Sequence, residues 1–186
     1  MADSLPLRFV SEEMNTKFIF ILFLLFVLVI YVDKIYAGAG GAMKITSPSF
    51  KNNEFIPVKF TCQGEDINPA LVIESIPGEA KSLALIVDDP DAPMGTWVHW
   101  VVFDIALINR IEESSIPGKQ GGNDFGRDDY GGPCPPSGTH RYFFKIYALD
   151  KILNLTEGIA KKELKEAMEG HILGQAELIG LYKKTR

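Results

Sequence analysis

Residues 82–87 read Ser-Leu-Ala-Leu-Ile-Val. Strand alternation puts Leu83, Leu85 and Val87 on one face and Ala84 and Ile86 on the other. Both faces are apolar, which predicts a central strand covered on both sides. Directly after it come Asp88, Asp89, Pro90, Asp91, Ala92 and Pro93. Proline fixes φ and lacks an N–H, so a stiff turn carrying three carboxylates leaves the end of a buried strand.

Further strands are expected on either side. Residues 56–61 and 71–76 are short β-rich runs bounded by Pro, Gly and Asn. Trp97 to Ile105 and Tyr142 to Leu149 read as buried strands, and Ala176 to Tyr182 as the last one. Trp97, His99, Val101 and Phe103 alternate onto one face of their strand. A helix is expected over Lys161 to Glu169. Leu164, Ala167 and Met168 form its apolar stripe, lysines cover the other side, and Gly170 ends it. Strands first and a helix last predict a mainly β fold, an antiparallel sandwich with a peripheral C-terminal helix.

The N-terminus has a different character. Phe18 to Val32 carries no charge, with Lys17 before it and Asp33 and Lys34 after it. The run is short for a spanning helix and suits the apolar region of a signal peptide. Ala37-x-Ala39 has the small-x-small form of a cleavage site, and a cut near Ala42 is equally compatible. Glu12 and Glu13 sit where such a segment is usually basic, so Met14 makes a better start than Met1. Residues 1–42 are therefore expected to be an export segment and 43–186 an exported, periplasmic or extracellular domain. The alternative is an uncleaved anchor at 18–32. The whole chain has net charge −5, and no basic stripe marks a nucleic-acid partner. Cys62 and Cys134 could pair in an oxidising compartment, or each could be a small buried hydrophobe.

A second stiff segment, Tyr130 to Tyr142 (YGGPCPPSGTHRY), runs through Gly and Pro into a histidine that opens an apolar strand. Before its Pro cluster, the stretch from Pro117 holds six glycines, and an ordered loop beside a pocket is expected over 117–138. Acids, histidines and rigid loops thus coincide at the ends of buried strands. Imidazoles set against carboxylates gain a fixed tautomer and a raised pKa, which makes them donors to an anion. Taken singly, each feature has a structural alternative: Asp-Pro turns, hydrogen-bonded core histidines and plain loops. A metal site of two His and two Asp lacks HxxxH or HxH spacing. Nucleophilic catalysis by Ser137 or Cys134 with His140 lacks a nucleophile-elbow pattern. Anion binding needs neither.

Several of these pieces together resemble the phosphatidylethanolamine-binding proteins, most closely their bacterial and archaeal Raf-kinase-inhibitor-like branch. The matching stretches are Asp89 to Pro93, Gly95 to Trp100, Tyr130 to Pro136 and Gly138 to Tyr142. Thr61 to Gly64, Asn68-Pro69 and the closing Gly170 to Leu173 with Gln175 to Leu178 are also similar. The resemblance covers residues 43–186. It implies a large and a smaller sheet, peripheral helices, and a pocket for phosphate, acetate or a phospholipid headgroup without turnover or cofactor. By motif, Asp89 and Asp91 come from the first loop, and Trp97 and His99 from the following strand. Gly132, Pro135 and Pro136 shape the rim, with His140 and Tyr142 opposite. A protein partner docking on the rim and the 117–138 loop, such as an envelope peptidase or kinase, is the alternative it implies.

Two positions depart from that pattern. Ala70 stands where the branch usually has a second Pro, and Ile73-Glu74 near a position often held by Trp. A cytoplasmic kinase would not meet an exported chain, so the branch name does not carry that role here. Mass spectrometry of the protein recovered from its native host is expected to show an N-terminus between Gly40 and Met43. A mass that includes residues 18–32 would establish the anchor instead.

Overall fold

The computed structural model describes residues 41–185, together with Ile19 and residues 21–24, which are helical. The rest of the expected export segment lies outside the described residues. Two compact units divide the chain, 1–41 and 42–186, and the second holds both sheets.

Among the described residues, nine strands build these sheets. The larger has the order β2-β9-β8-β4-β5-β7, from β2 (Glu54–Phe55), β9 (Ile172–Lys183), β8 (Thr139–Leu149), β4 (Ser82–Asp89), β5 (Trp97–Ile105) and β7 (Lys119–Gly121). The smaller is β1-β3-β6, from β1 (Lys44–Thr46), β3 (Leu71–Glu74) and β6 (Arg110–Ile111). Pairing is antiparallel throughout, except that β2 runs parallel to β9. The expected sandwich is present.

Strand β4 is buried at all eight positions. Leu83, Leu85 and Val87 enter the core between the sheets, with Leu71, Ile73 and Ile111 of the small sheet and Trp100, Phe144 and Ile146 of the large one. Ala84 and Ile86 face the other way, into a second core with Val101, Phe103, Leu164 and Met168. The helix Lys161–Met168 therefore covers the outer face of the large sheet. Its first turn is tied by the Ala160 N–H donating to Glu163 Oε2 at 2.8 Å, and Gly170 beyond its end takes φ +76°.

The expected strand over 56–61 is not one. Only the Ile56 N–H continues the pairing, donating to Leu181 O at 2.8 Å. Pro57 then offers no N–H, and Val58–Phe60 closes into a 3-10 turn capped by the Thr61 hydroxyl donating to Val58 O. The last strand is longer than expected, beginning at Ile172. The 117–138 segment is not wholly irregular either, since β7 pairs with Val101 to Phe103. Beyond β7 the Asn123 side chain organises the loop, its oxygen accepting from the N–H groups of Phe125 and Arg127 and its amide donating to Asp129 O.

Cys62 and Cys134 are bonded, with Cα atoms 5.5 Å apart and a sequence separation of 72. The bond ties the 3-10 turn region to the Pro-rich rim. Closing a loop of that size is worth about 2–4 kcal/mol. Thiol titration of the unreduced native protein is expected to find no free thiol. A Cys62→Ser, Cys134→Ser double variant should lose stability of that order in urea unfolding, and full retention would show that the bond does not support the fold.

Candidate functional site

The site lies at one end of the large sheet, where β4 ends, β5 begins and β8 begins. Asp88 and Asp89 point to opposite faces. On the helix side Asp88 is fully buried, its two oxygens accepting from Lys145 Nζ and Lys161 Nζ. On the sandwich side Asp89 is 3% exposed. Its Oδ2 faces His140 Nδ1 at 2.7 Å, and its Oδ1 accepts the Asp91 N–H at 2.8 Å. A carboxylate only accepts, so His140 Nδ1 carries the proton it donates.

His99 reaches the same region through an irregularity. Val87 pairs with Trp100 but Asp88 pairs with Val98, so His99 is an extra residue in β5, a β-bulge. Regular alternation would place His99 with Val101 and Phe103, as expected from the sequence. The bulge instead moves it to the opposite face, and Trp97 goes with it. His99 is 2% exposed, and its ring meets Tyr142 edge-on at 5.1 Å and Phe125 at 5.2 Å. Its Nδ1 donates to the Gly131 carbonyl at 2.6 Å, so Nε2 is the nitrogen left for a ligand. The expected raised pKa does not hold here. Burial pushes His99 below its ordinary 6.5, outweighing the Gly131 carbonyl and the more distant carboxylates of Asp89, Asp88 and Asp66.

A cavity of about 400 Å3 opens on this floor. Asp89 and His99 supply its ionisable groups, and Trp97, Phe125, Met94 and Pro135 are among its apolar walls. Pro136 and Cys134 complete the rim side, while Ala92 and Pro93 bring the first stiff turn to the mouth. Of the residues expected from the sequence, Asp89, Trp97, His99, Pro135 and Pro136 line the cavity.

The other four do not. His140 stands behind Asp89 as its hydrogen-bond partner. Tyr142 packs under His99, and among the described residues its hydroxyl is the one buried side-chain polar atom without a hydrogen bond. Burial and the nearby Asp89 carboxylate push that phenol well above its ordinary range. Asp91 is drawn away by Arg141, which grips it with Nε at 2.9 Å and Nη2 at 2.7 Å. That pairing lowers the Asp91 pKa to about 2. Gly132 is a backbone element, its N–H donating to Asp66 Oδ1 at 2.6 Å. Among the described residues, no group of three or more His, Cys, Asp or Glu could hold a metal. Cys134 is bonded to Cys62, which leaves it no thiol to act as nucleophile.

Phe125, Met94 and Asp66 are site residues that sequence reasoning does not reach. Phe125 stands in a loop where only its aromatic character among glycines and acids marks it. Asp66 carries no local signal, because it meets Gly132 only through the fold.

The arrangement is a small, partly open cavity at a sheet end with a histidine and a carboxylate on its floor. The family model for phosphatidylethanolamine-binding protein matches residues 46–183. A UPF0098 protein of Pyrococcus horikoshii is 51% identical over 160 residues, covering 78% of this chain and 80% of its own. One from Aquifex aeolicus is 48% identical over 161 residues, covering 81% and 94%. Among solved structures, the Chlamydia trachomatis homologue CT736 superposes with TM-score 0.75 at 45% identity, covering 77% of this chain and 99% of its own. Escherichia coli YbcL, described as a member of the mammalian family, gives 0.72 at 27% identity, covering 78% and 100%. The chain belongs to the phosphatidylethanolamine-binding protein family.

The rim depends on close backbone approach at Gly132. A Cβ there would lie 2.5 Å from Asp66 Oδ1, 2.7 Å from Phe60 O and 2.8 Å from Thr61 Cα. Two of these are backbone atoms, so the neighbours cannot swing aside. Gly132→Ala is expected to cost about 1–3 kcal/mol and to weaken ligand binding with it. An unchanged melting temperature would show that the rim relaxes freely.

Proposed function

We propose that residues 43–186 form an exported, non-enzymatic domain that binds a small phosphorylated or carboxylated ligand, such as a phospholipid headgroup, against His99. The observation that carries this reading is the buried His99 imidazole on the cavity floor, with Nδ1 tied to Gly131 O and the Asp89–His140 pair beside it. The name of the family supports the headgroup, and the disulfide supports an oxidising compartment.

The tautomers dictate how an oxyanion would be held. With Nδ1–H given to a carbonyl or a carboxylate, each neutral ring presents a lone pair at Nε2, which cannot hydrogen-bond an oxyanion that carries no proton. Binding must therefore bring a proton, either onto an imidazole or on the ligand itself. His140 supports the site through Asp89, holding that carboxylate in place beside the ligand.

The sign of the pH dependence follows. A protonated imidazole donates to the anion, so affinity is greatest at low pH and falls as pH rises. For His99 the decline begins below 6.5, because its pKa in the free protein is lowered. Calorimetry with inorganic phosphate and with acetate, repeated in two buffers of different ionisation heat, is expected to show net proton uptake. His99→Ala should weaken binding by about tenfold or more, the size of one lost charge-assisted hydrogen bond. Equal heats from the wild type and a His99→Ala, His140→Ala double variant would overturn the assignment.

A further inference from the structure

The connection between β8 and the helix carries a motif that the cavity does not use. Residues 154–156 read Asn-Leu-Thr, and among the asparagines of the chain Asn154 alone has Ser or Thr two positions on with no proline between. That pattern is the acceptor sequence for N-linked glycans, and the context it needs is an exposed loop in an exported chain. Residues 152–156 are irregular, and both Asn154 and Thr156 are exposed.

The surrounding contacts explain how the acceptor is presented. Leu153 and Leu155 pack against the second core, and Asn154 between them is exposed. The backbone is held from both sides. Asp104 Oδ1 accepts the Leu153 N–H at 2.7 Å and Asp104 Oδ2 the Asn154 N–H at 3.1 Å, while Lys119 Nζ donates to Leu155 O at 3.0 Å. The hydrogen bonds of Asn154 use its backbone N–H, which leaves its carboxamide to solvent. Asn154 takes φ +56°, a conformation that asparagine tolerates, so the turn by itself accounts for an asparagine here. It does not account for the exposed threonine two residues on. Asn53 has a similar backbone, φ +62°, and is followed by Glu54 and Phe55.

We propose that Asn154 is an N-glycosylation site, taking a sugar from a donor carried on a lipid phosphate or pyrophosphate at the membrane the chain crosses. Asn154 Nδ2 forms a bond to the anomeric carbon of the donor sugar, and the bond from that carbon to the phosphate oxygen breaks. Nδ2 loses one proton, and the lipid phosphate leaves with the bonding pair. This rests on the export part of the reading above. The fastened backbone and packed leucines set the timing: transfer takes place on the unfolded chain during export, before this connection docks on the sheet. The position also keeps the glycan off the cavity. Asp104 lies at the end of β5, and Lys151 O accepts from the Ser82 hydroxyl at the start of β4, so Asn154 stands at the opposite end of the large sheet. The eleven residues of β8 separate the two ends by roughly 33 Å.

Peptide mass spectrometry of the full chain recovered from its native host tests it. The tryptic peptide from Ile152 to Lys161 is expected to carry a sugar mass, with fragmentation placing it on Asn154. Asn154→Gln and Thr156→Ala should each return that peptide to its unmodified mass, while Thr156→Ser keeps the glycan. Thr156→Ala leaves the positive-φ residue in place, so it reports even if Asn154→Gln folds poorly. A sugar mass that survives Thr156→Ala, or that sits on another residue, overturns the assignment. An unmodified peptide from a chain that has lost residues 1–42 overturns this inference and leaves the export reading standing. An unmodified peptide from a chain that fractionates inside the cell overturns both. Residues 43–186 placed behind a leader that the host exports separate the two questions: an unmodified peptide there overturns the acceptor site whatever the native leader does.

Discussion

One extra residue in β5 governs the site. Without the bulge at His99, the imidazole would sit in the second core against the C-terminal helix, among Val101 and Phe103. With it, the ring turns toward Tyr142 and is buried there, and a buried imidazole N–H needs an acceptor. The acceptor is the carbonyl of Gly131, whose own N–H donates to His99 O at 2.9 Å. The Gly-rich segment is thereby drawn along β5. Its next residue, Gly132, is held by Asp66 from another loop, and two residues later the disulfide fixes the rim. Each contact is needed because the preceding one buried a polar group or closed a gap.

The neighbouring acids Asp88 and Asp89 divide the electrostatics of this corner. Strand alternation sends them to opposite faces, and the two faces compensate them differently. Behind the sheet, Asp88 collects two lysines, an arrangement that links β4, β8 and the C-terminal helix. In front, Asp89 is met by an imidazole and a backbone N–H. The cationic side chains are thus placed where they stabilise the fold, and the cavity keeps a negative and aromatic character. Under the proposed reading, an anionic group bound there would rely on protons and hydrogen bonds, with no lysine or arginine in the lining to neutralise it.

Much of the framework was legible in residue pattern. The doubly apolar run at 82–87 gave the central strand, and Trp97 to Ile105 was bounded correctly because a turn with Pro90, Pro93 and Gly95 precedes it and Ile105 closes its apolar run. The apolar stripe and Gly170 located the helix. Residues 56–61 misled because their composition is β-like, while Pro57 denies the second pairing bond. The site was legible in part. Asp89 and His99 were marked by acids and histidines at strand ends, and Trp97, Pro135 and Pro136 by the family resemblance; all five line the cavity. Asp91 looked equivalent to Asp89, yet Arg141 claims it from β8, a pairing that depends on strand neighbours far apart in sequence.

By itself the sequence determined what depends on neighbours along the chain: which segments extend, which faces are apolar, where proline and glycine stiffen the backbone, and which family's motifs occur. Tertiary structure alone decided which way His99 faces, because a bulge is a misfit between two paired strands and neither strand shows it separately. It also decided that Cys62 meets Cys134, that Asp66 holds Gly132, and that Phe125 joins Trp97 at the mouth. Those contacts span long stretches of chain, and their geometry exists only once the two sheets have packed.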